Sequence, residues 1–185
     1  MNKSGIPSAK RADFPSELCA SLILAQKNAV DMMFYSTSDV NSRDNGLYSI
    51  DDFDTHRHYG AYNVMTSFGK LSGLLNVAET TGDYRKEVYS LAAFDEREAA
   101  LLLVTRNYTG RVEIILKGSE FKTCSVLKIV GGGERGEGTV YKAENIAITG
   151  GRILVPAKKN EVFFVTFFDK PEPTCSDSDP ADIQI

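Results

Sequence analysis

Val162-Phe163-Phe164-Val165-Thr166-Phe167-Phe168 holds six apolar residues out of seven and no Gly or Pro. A run this short, rich in β-branched and aromatic residues and ending at the polar Asp169, suits a buried strand. Each phenylalanine, if fully buried, contributes about 1.5–3 kcal/mol, so the strand belongs near the centre of a sheet. Working back along the chain, similar runs recur at Val88–Asp95, Ala99–Asn107, Arg111–Lys117, Cys124–Val130, Thr139–Tyr141 with Ile146–Ile148, and Arg152–Val155. Turn chemistry separates them at Thr109-Gly110, Lys117-Gly118-Ser119, Gly150-Gly151 and Lys158-Lys159-Asn160. Alternation places Val112, Ile114 and Leu116 on one face, with Glu113 and Lys117 on the other. Short strands at regular spacing, with no helical pattern between them, predict a mainly β fold: an antiparallel β-sandwich over residues 76–169, two sheets around a shared core. Such a unit is expected to fold without what precedes it.

Residues 1–75 have a different character. Asp13-Phe14-Pro15 reads as a helix start, with aspartate as the cap and proline in the first turn. Leu18, Leu22, Ala25 and Ala29 follow at helical spacing, with Cys19 and Ile23 beside them. Val30 to Tyr35 suits a short buried strand. The stretch from Ser36 to Asp54 is a polar loop anchored by Leu47, Tyr48, Ile50 and Phe53. Asp54 or Thr55 is then expected to cap a second helix whose face is Ala61, Met65, Phe68, Ser72 and Leu75. After Asp169 the tail, 170–185, carries three prolines and three aspartates and reads as disordered.

Composition narrows the function classes. The 185 residues carry a net charge of −4 with Lys and Arg dispersed, which argues against nucleic acid as a partner. No apolar run is long enough to cross a bilayer, and Met1 to Pro15 lacks a hydrophobic signal core, so no membrane role is expected. Cys19, Cys124 and Cys175 are widely and irregularly spaced, which predicts free thiols in a reducing, cytoplasmic setting. Cys19 lies on the apolar helical face and reads as core rather than nucleophile.

The motifs with chemical potential have structural readings beside them. Gly131 to Gly138 is glycine-rich but carries Glu134 and Glu137 and runs into a β segment, so it reads as a hairpin loop rather than a phosphate cradle. Asn107-Tyr108-Thr109 fits a glycosylation acceptor and is read as a turn. His56 and His58, with Asp51, Asp52 and Asp54 upstream, supply metal-ligand types. Residues two apart on a helix diverge, so the segment reads as a capped helix entry, and no metal or other cofactor is called for. With two histidines in the chain, no Ser-His-Asp set can be assembled.

The order of helix, apolar strand ending in Tyr35, loop with Gly46-Leu47-Tyr48, and helix with Tyr62 and Phe68-Gly69-Lys70-Leu71 resembles the end of the catalytic barrel in retaining glycoside hydrolases. The resemblance is to the xylosidase and iduronidase group called family 39 and its clan. A sandwich then opens with a strand similar to Val88-Tyr89-Ser90-Leu91-Ala92-Ala93. The chain departs from that pattern at Tyr59-Gly60, where a Lys-Pro pair is usual, and at Tyr35, where tryptophan is frequent.

The resemblance implies a helix-strand-helix remnant of a (β/α)8 barrel followed by the sandwich. It also implies that the acid/base and nucleophile glutamates lie on barrel strands not in this chain, since such chemistry needs two carboxyl groups about 5–5.5 Å apart. Asp39 and Asp44 match neither motif, so no catalytic residue is assigned. Tyr35 and Asp39, at the rim where barrel active sites lie, are the candidate substrate-binding residues; equally, Tyr35 merely packs. The expected role is a non-catalytic C-terminal portion of a glycoside hydrolase that stabilises the barrel and flanks the glycan site. The alternative is a free-standing carbohydrate- or protein-binding β-sandwich module. Expected partners are carbohydrate and the missing barrel portion, or further copies of the chain, because a lone strand at Val30 to Tyr35 leaves its edges unpaired.

Overall fold

The computed structural model describes residues 11–28, 30, 48–50, 56–58, 60–132 and 139–169. Helix α1 spans Phe14–Lys27 with Asp13 at the N-cap position and proline in the first turn, as the sequence predicts. The Asp13 side chain does not cap, however. Its carboxylate is held by Arg11 through bonds of 2.9 and 2.6 Å, and Ser16 Oγ donates instead to the Asp13 carbonyl at 2.7 Å. At the other end, the Val30 amide donates to the Ala25 carbonyl, so Val30 completes the helix terminus rather than opening a strand. The expected strand beyond it, to Tyr35, lies outside the described residues, as does Ala29.

Two short strands, β1 (Tyr48–Ile50) and β2 (His56–His58), pair antiparallel. This corrects the expected helix entry at Asp54 or Thr55: the histidines are on a strand, and helix α2 starts only at Gly60 and runs to Ser72. Its buried side is Ala61, Val64, Ser67 and Leu71, with Met65 and Phe68 partly buried. The expected face is therefore turned. Ser72 is exposed, and Leu75, beyond the helix, is 84% exposed.

The rest is β-structure, all antiparallel: β3 (Asn76–Ala78), β4 (Val88–Phe94), β5 (Glu98–Thr105), β6 (Gly110–Ile115), β7 (Thr123–Val130), β8 (Thr139–Ala147), β9 (Arg152–Ala157) and β10 (Glu161–Phe168). Six strands form one sheet in the order β3-β4-β5-β10-β7-β8, and β6 pairs with β9 in a second. The phenylalanine strand β10 is central, pairing along its length with β5 and β7. The two pieces expected at 139–141 and 146–148 join as one strand, with an irregular register opposite Cys124/Val126.

Period-two alternation gives the large sheet two buried faces. Leu91, Leu102, Val104, Ile129, Val162 and Phe164 meet Leu18, Cys19, Leu22 and Ile23 of α1 and Val64 and Leu71 of α2. On the opposite face Leu101, Leu103, Phe163, Val165 and Phe167 meet Ile114 of β6 and Ile153 and Val155 of β9. The two sheets share a core, as expected, and the large sheet has a second one on its other face, where the helices cover it.

Glycine makes the helix side close-packed. At Gly60 a Cβ would lie 2.6 Å from Pro15 Cγ, and at Gly131 it would enter the Ala12 carbonyl and lie 2.7 Å from Pro15 Cδ. The glycine-rich stretch therefore begins as a close approach to the start of α1. It joins β7 to β8 as a hairpin connection, Val130 pairing with Thr139, and residues 133–138 are outside the described residues.

Candidate functional site

Sequence reasoning named Tyr35 and Asp39 as substrate-binding, and both lie outside the described residues, as do Asp44, Asp51, Asp52, Asp54, Cys175 and the tail from 170. Cys19 is fully buried, and burial pushes its thiol well above the usual range; Cys124 is displaced in the same direction for the same reason. A thiol held protonated in an apolar core is inert, which agrees with the core reading of Cys19. Among the described residues no cluster of three or more His, Cys, Asp or Glu forms a metal site, and no helix is long and apolar enough to cross a membrane.

The shifted carboxylates are structural. Arg11 holds the Asp13 carboxyl below its ordinary range. Asp83 is lowered by its bond to Lys86, and Asp95 by the amides of Arg97 and Glu98, which close the β4–β5 turn. All are thereby stabilised as anions, the opposite of what a general acid requires. Glu161, 5% exposed, accepts from the Lys158 amide at 2.8 Å and from Lys128 Nζ at 3.4 Å, and so pins the β9–β10 turn. In the β5–β6 connection, Tyr108 donates to the Arg111 carbonyl at 3.0 Å, and Thr109 Oγ1 accepts from the Lys159 amide at 3.2 Å. Asn107-Tyr108-Thr109 is thus the turn expected of it.

Among the described residues, a cleft of about 1120 Å³ lies between the two sheets. Val88, Ser90 and Ala92 of β4 line it from the large sheet, and Glu113 and Ile115 of β6 from the small one. Ser90 is 6% exposed and its hydroxyl is buried with no hydrogen-bond partner. Sequence reading missed this cleft, since it arises where a six-stranded sheet outreaches a two-stranded one. Strand patterns carry no signal for that mismatch.

No protein-family profile and no curated protein sequence matches the chain. Solved structures do match in fold. A glycoside hydrolase family 30 subfamily 8 xylanase from Clostridium acetobutylicum is 17% identical, with a TM-score of 0.57 over 85% of this chain and 40% of that one. A family 30 endoxylanase from Clostridium papyrosolvens is 14% identical, with a TM-score of 0.59 over 86% of this chain and 39% of that one. An arabinose-bound family 51 α-L-arabinofuranosidase is 13% identical, with a TM-score of 0.66 over 86% of this chain and 28% of that one. The chain therefore has a fold found within glycoside hydrolases, and it spans between 28% and 40% of the length of these three.

Proposed function

We propose that this chain is the non-catalytic C-terminal portion of a glycoside hydrolase, stabilising a catalytic barrel and flanking its glycan site, with carbohydrate and the barrel as partners. The observation that carries the reading is the asymmetry of coverage: 85% or more of this chain matches enzymes of which it spans at most 40%. The family 39 resemblance at Gly46-Leu47-Tyr48 and Phe68-Gly69-Lys70-Leu71 supports the same assignment. On this reading the two carboxylates of hydrolysis come from the barrel, and Tyr35 and Asp39 stand at the sugar-facing rim. A free-standing binding module has one observation in its favour, namely that α1 and α2 are already packed on the sheet of their own chain.

The 185-residue chain alone should leave aryl xylosides and arabinofuranosides intact. The coding sequence on its N-terminal side should encode a barrel with two glutamates, and supplying that polypeptide should give hydrolysis. Turnover by the chain alone, abolished by Asp39→Asn or Asp44→Asn, would overturn the proposal, as would a neighbouring sequence that encodes no barrel.

A further inference from the structure

Strand β8 closes the order of the six-stranded sheet, and among the described residues no strand lies beyond it. Such an edge is a template for another strand. Every residue of β8 except Ile146 is exposed, so neither the helices on one face nor the small sheet on the other overhangs it.

Two hydrogen bonds fix which of its backbone groups face outward. At one end the Ile148 amide donates to the Lys122 carbonyl at 2.8 Å. Across the sheet the Arg106 amide donates to the Glu87 carbonyl at 3.0 Å, and alternation carried through β5, β10 and β7 gives the same phase. Val126, Lys128 and Val130 therefore bond to Ala143, Tyr141 and Thr139, and the amides and carbonyls of Val140 and Lys142 point away from β7. Beyond Ala143 the ladder turns irregular: Glu144 and Asn145 both stand opposite Ser125, with Asn145 at φ 52°. The regular edge is thus Thr139 to Ala143.

This edge exposes an apolar side chain on each face. Val140, 40% exposed, lies beside Ile129 on the helix side, and Tyr141, 55% exposed, lies beside Lys128 on the other. A surface docked on one face covers one of them only. A strand in the plane of the sheet covers both.

We propose that β8 is a self-association edge, where a second copy of the chain pairs antiparallel about a two-fold axis through Tyr141. Val140 of each copy then bonds to Lys142 of the other, so the outward residues of both copies meet in one register. A register centred on Lys142 would instead set two ammonium groups opposite each other. Tyr141 meets its own counterpart as a non-hydrogen-bonded pair, the kind in which side chains lie closest. Lys128 Nζ stands 4.7 Å from the centroid of the Tyr141 ring on the β7 side, which leaves the outer side of the ring to the partner. Lys142 keeps its ion pair with Glu144 and contributes its backbone to the contact. The irregularity at Glu144 and Asn145 keeps the paired segment short, less than a permanent interface buries, so the dimer is reversible. Two-fold closure uses up the edge, and association stops at two copies.

The test uses the 185-residue chain in a Cys175→Ser background, since Cys19 and Cys124 are buried. Sedimentation at rising concentration should show a reversible monomer–dimer equilibrium. Tyr141→Lys, which sets two ammonium groups face to face across the axis, should weaken the dimer by roughly tenfold. The register places Thr139 opposite Ala143 of the partner, a non-hydrogen-bonded pair close enough for a disulfide. Under diamide, a mixture of Thr139→Cys and Ala143→Cys chains should therefore crosslink roughly tenfold faster than either variant alone. Both substitutions are small and exposed, and Tyr141 is left in place. A chain that stays monomeric at every concentration overturns the proposal, and so does a dimer that Tyr141→Lys leaves unchanged. Association in which the mixed chains crosslink no faster than the single variants belongs to another surface and overturns it too.

Discussion

Gly131 shows how one residue sets the distance between two elements. Its Cα stands against Ala12 and Pro15 at the start of α1, where no side chain has room. The clash is with backbone, which cannot swing aside, so Gly131→Ala should destabilise the chain by about 1–3 kcal/mol, measured by urea unfolding. Gly118→Ala meets no neighbour within 4 Å but lies at φ 73°, so its cost should be the smaller one of backbone strain, about 1–2 kcal/mol. Near Gly131, Arg11 lowers the Asp13 carboxyl. A depressed folded-state value means that the ion pair stabilises the fold above the unfolded pKa, about 3.9. That stabilisation is lost as pH falls through the folded value. Between neutral pH and pH 3 the urea midpoint should therefore fall more steeply for the parent chain than for Asp13→Asn. Equal slopes would show that the pair contributes nothing.

At the scale of elements, β10 organises the molecule. Phe163 is 1% exposed and Phe167 2%, both toward the small sheet, while Val162 and Phe164 face the helices. Phe163→Ala should cost about 3–5 kcal/mol, since it removes a large side chain from a layer walled by paired strands that cannot collapse inward. A loss below about 1 kcal/mol in the same unfolding assay would mean that the small sheet is loosely packed. This strand was legible because composition alone marks a segment buried on both faces. The β1–β2 hairpin was not legible: its residues sit in a polar stretch, and the capping signal of Asp54 and Thr55 outweighed a pairing three residues long. Strand β3 was missed for the same reason of length, and the two halves of β8 were separated because Lys142, Glu144 and Asn145 interrupt the apolar run where the strand is irregular. The edge of β8 depends on which strands end up beside it, a property of topology that no local pattern encodes.

For the whole molecule, the question is whether 1–75 and 76–169 are separate units. The sequence suggested so, because the helical and alternating patterns change near Asn76. The packing argues for dependence: Leu91, Leu102, Val104, Ile129 and Phe164 are covered by Leu18, Leu22, Ile23, Val64 and Leu71. Lys27 adds a bond of 3.0 Å to the Thr80 carbonyl, fastening the end of α1 to the β3–β4 connection. A chain beginning at Asn76 would turn that face toward water as one contiguous apolar patch, which drives association. It should scatter light as a concentration-dependent oligomer and unfold with lower cooperativity than the 185-residue chain. Adding back residues 1–75 as a separate polypeptide should restore the smaller species. A truncated chain that stays monomeric and unfolds at the parent midpoint would show that the strands hold together through the Phe163 and Phe167 core alone. The helices would then be free to serve another surface, such as the barrel.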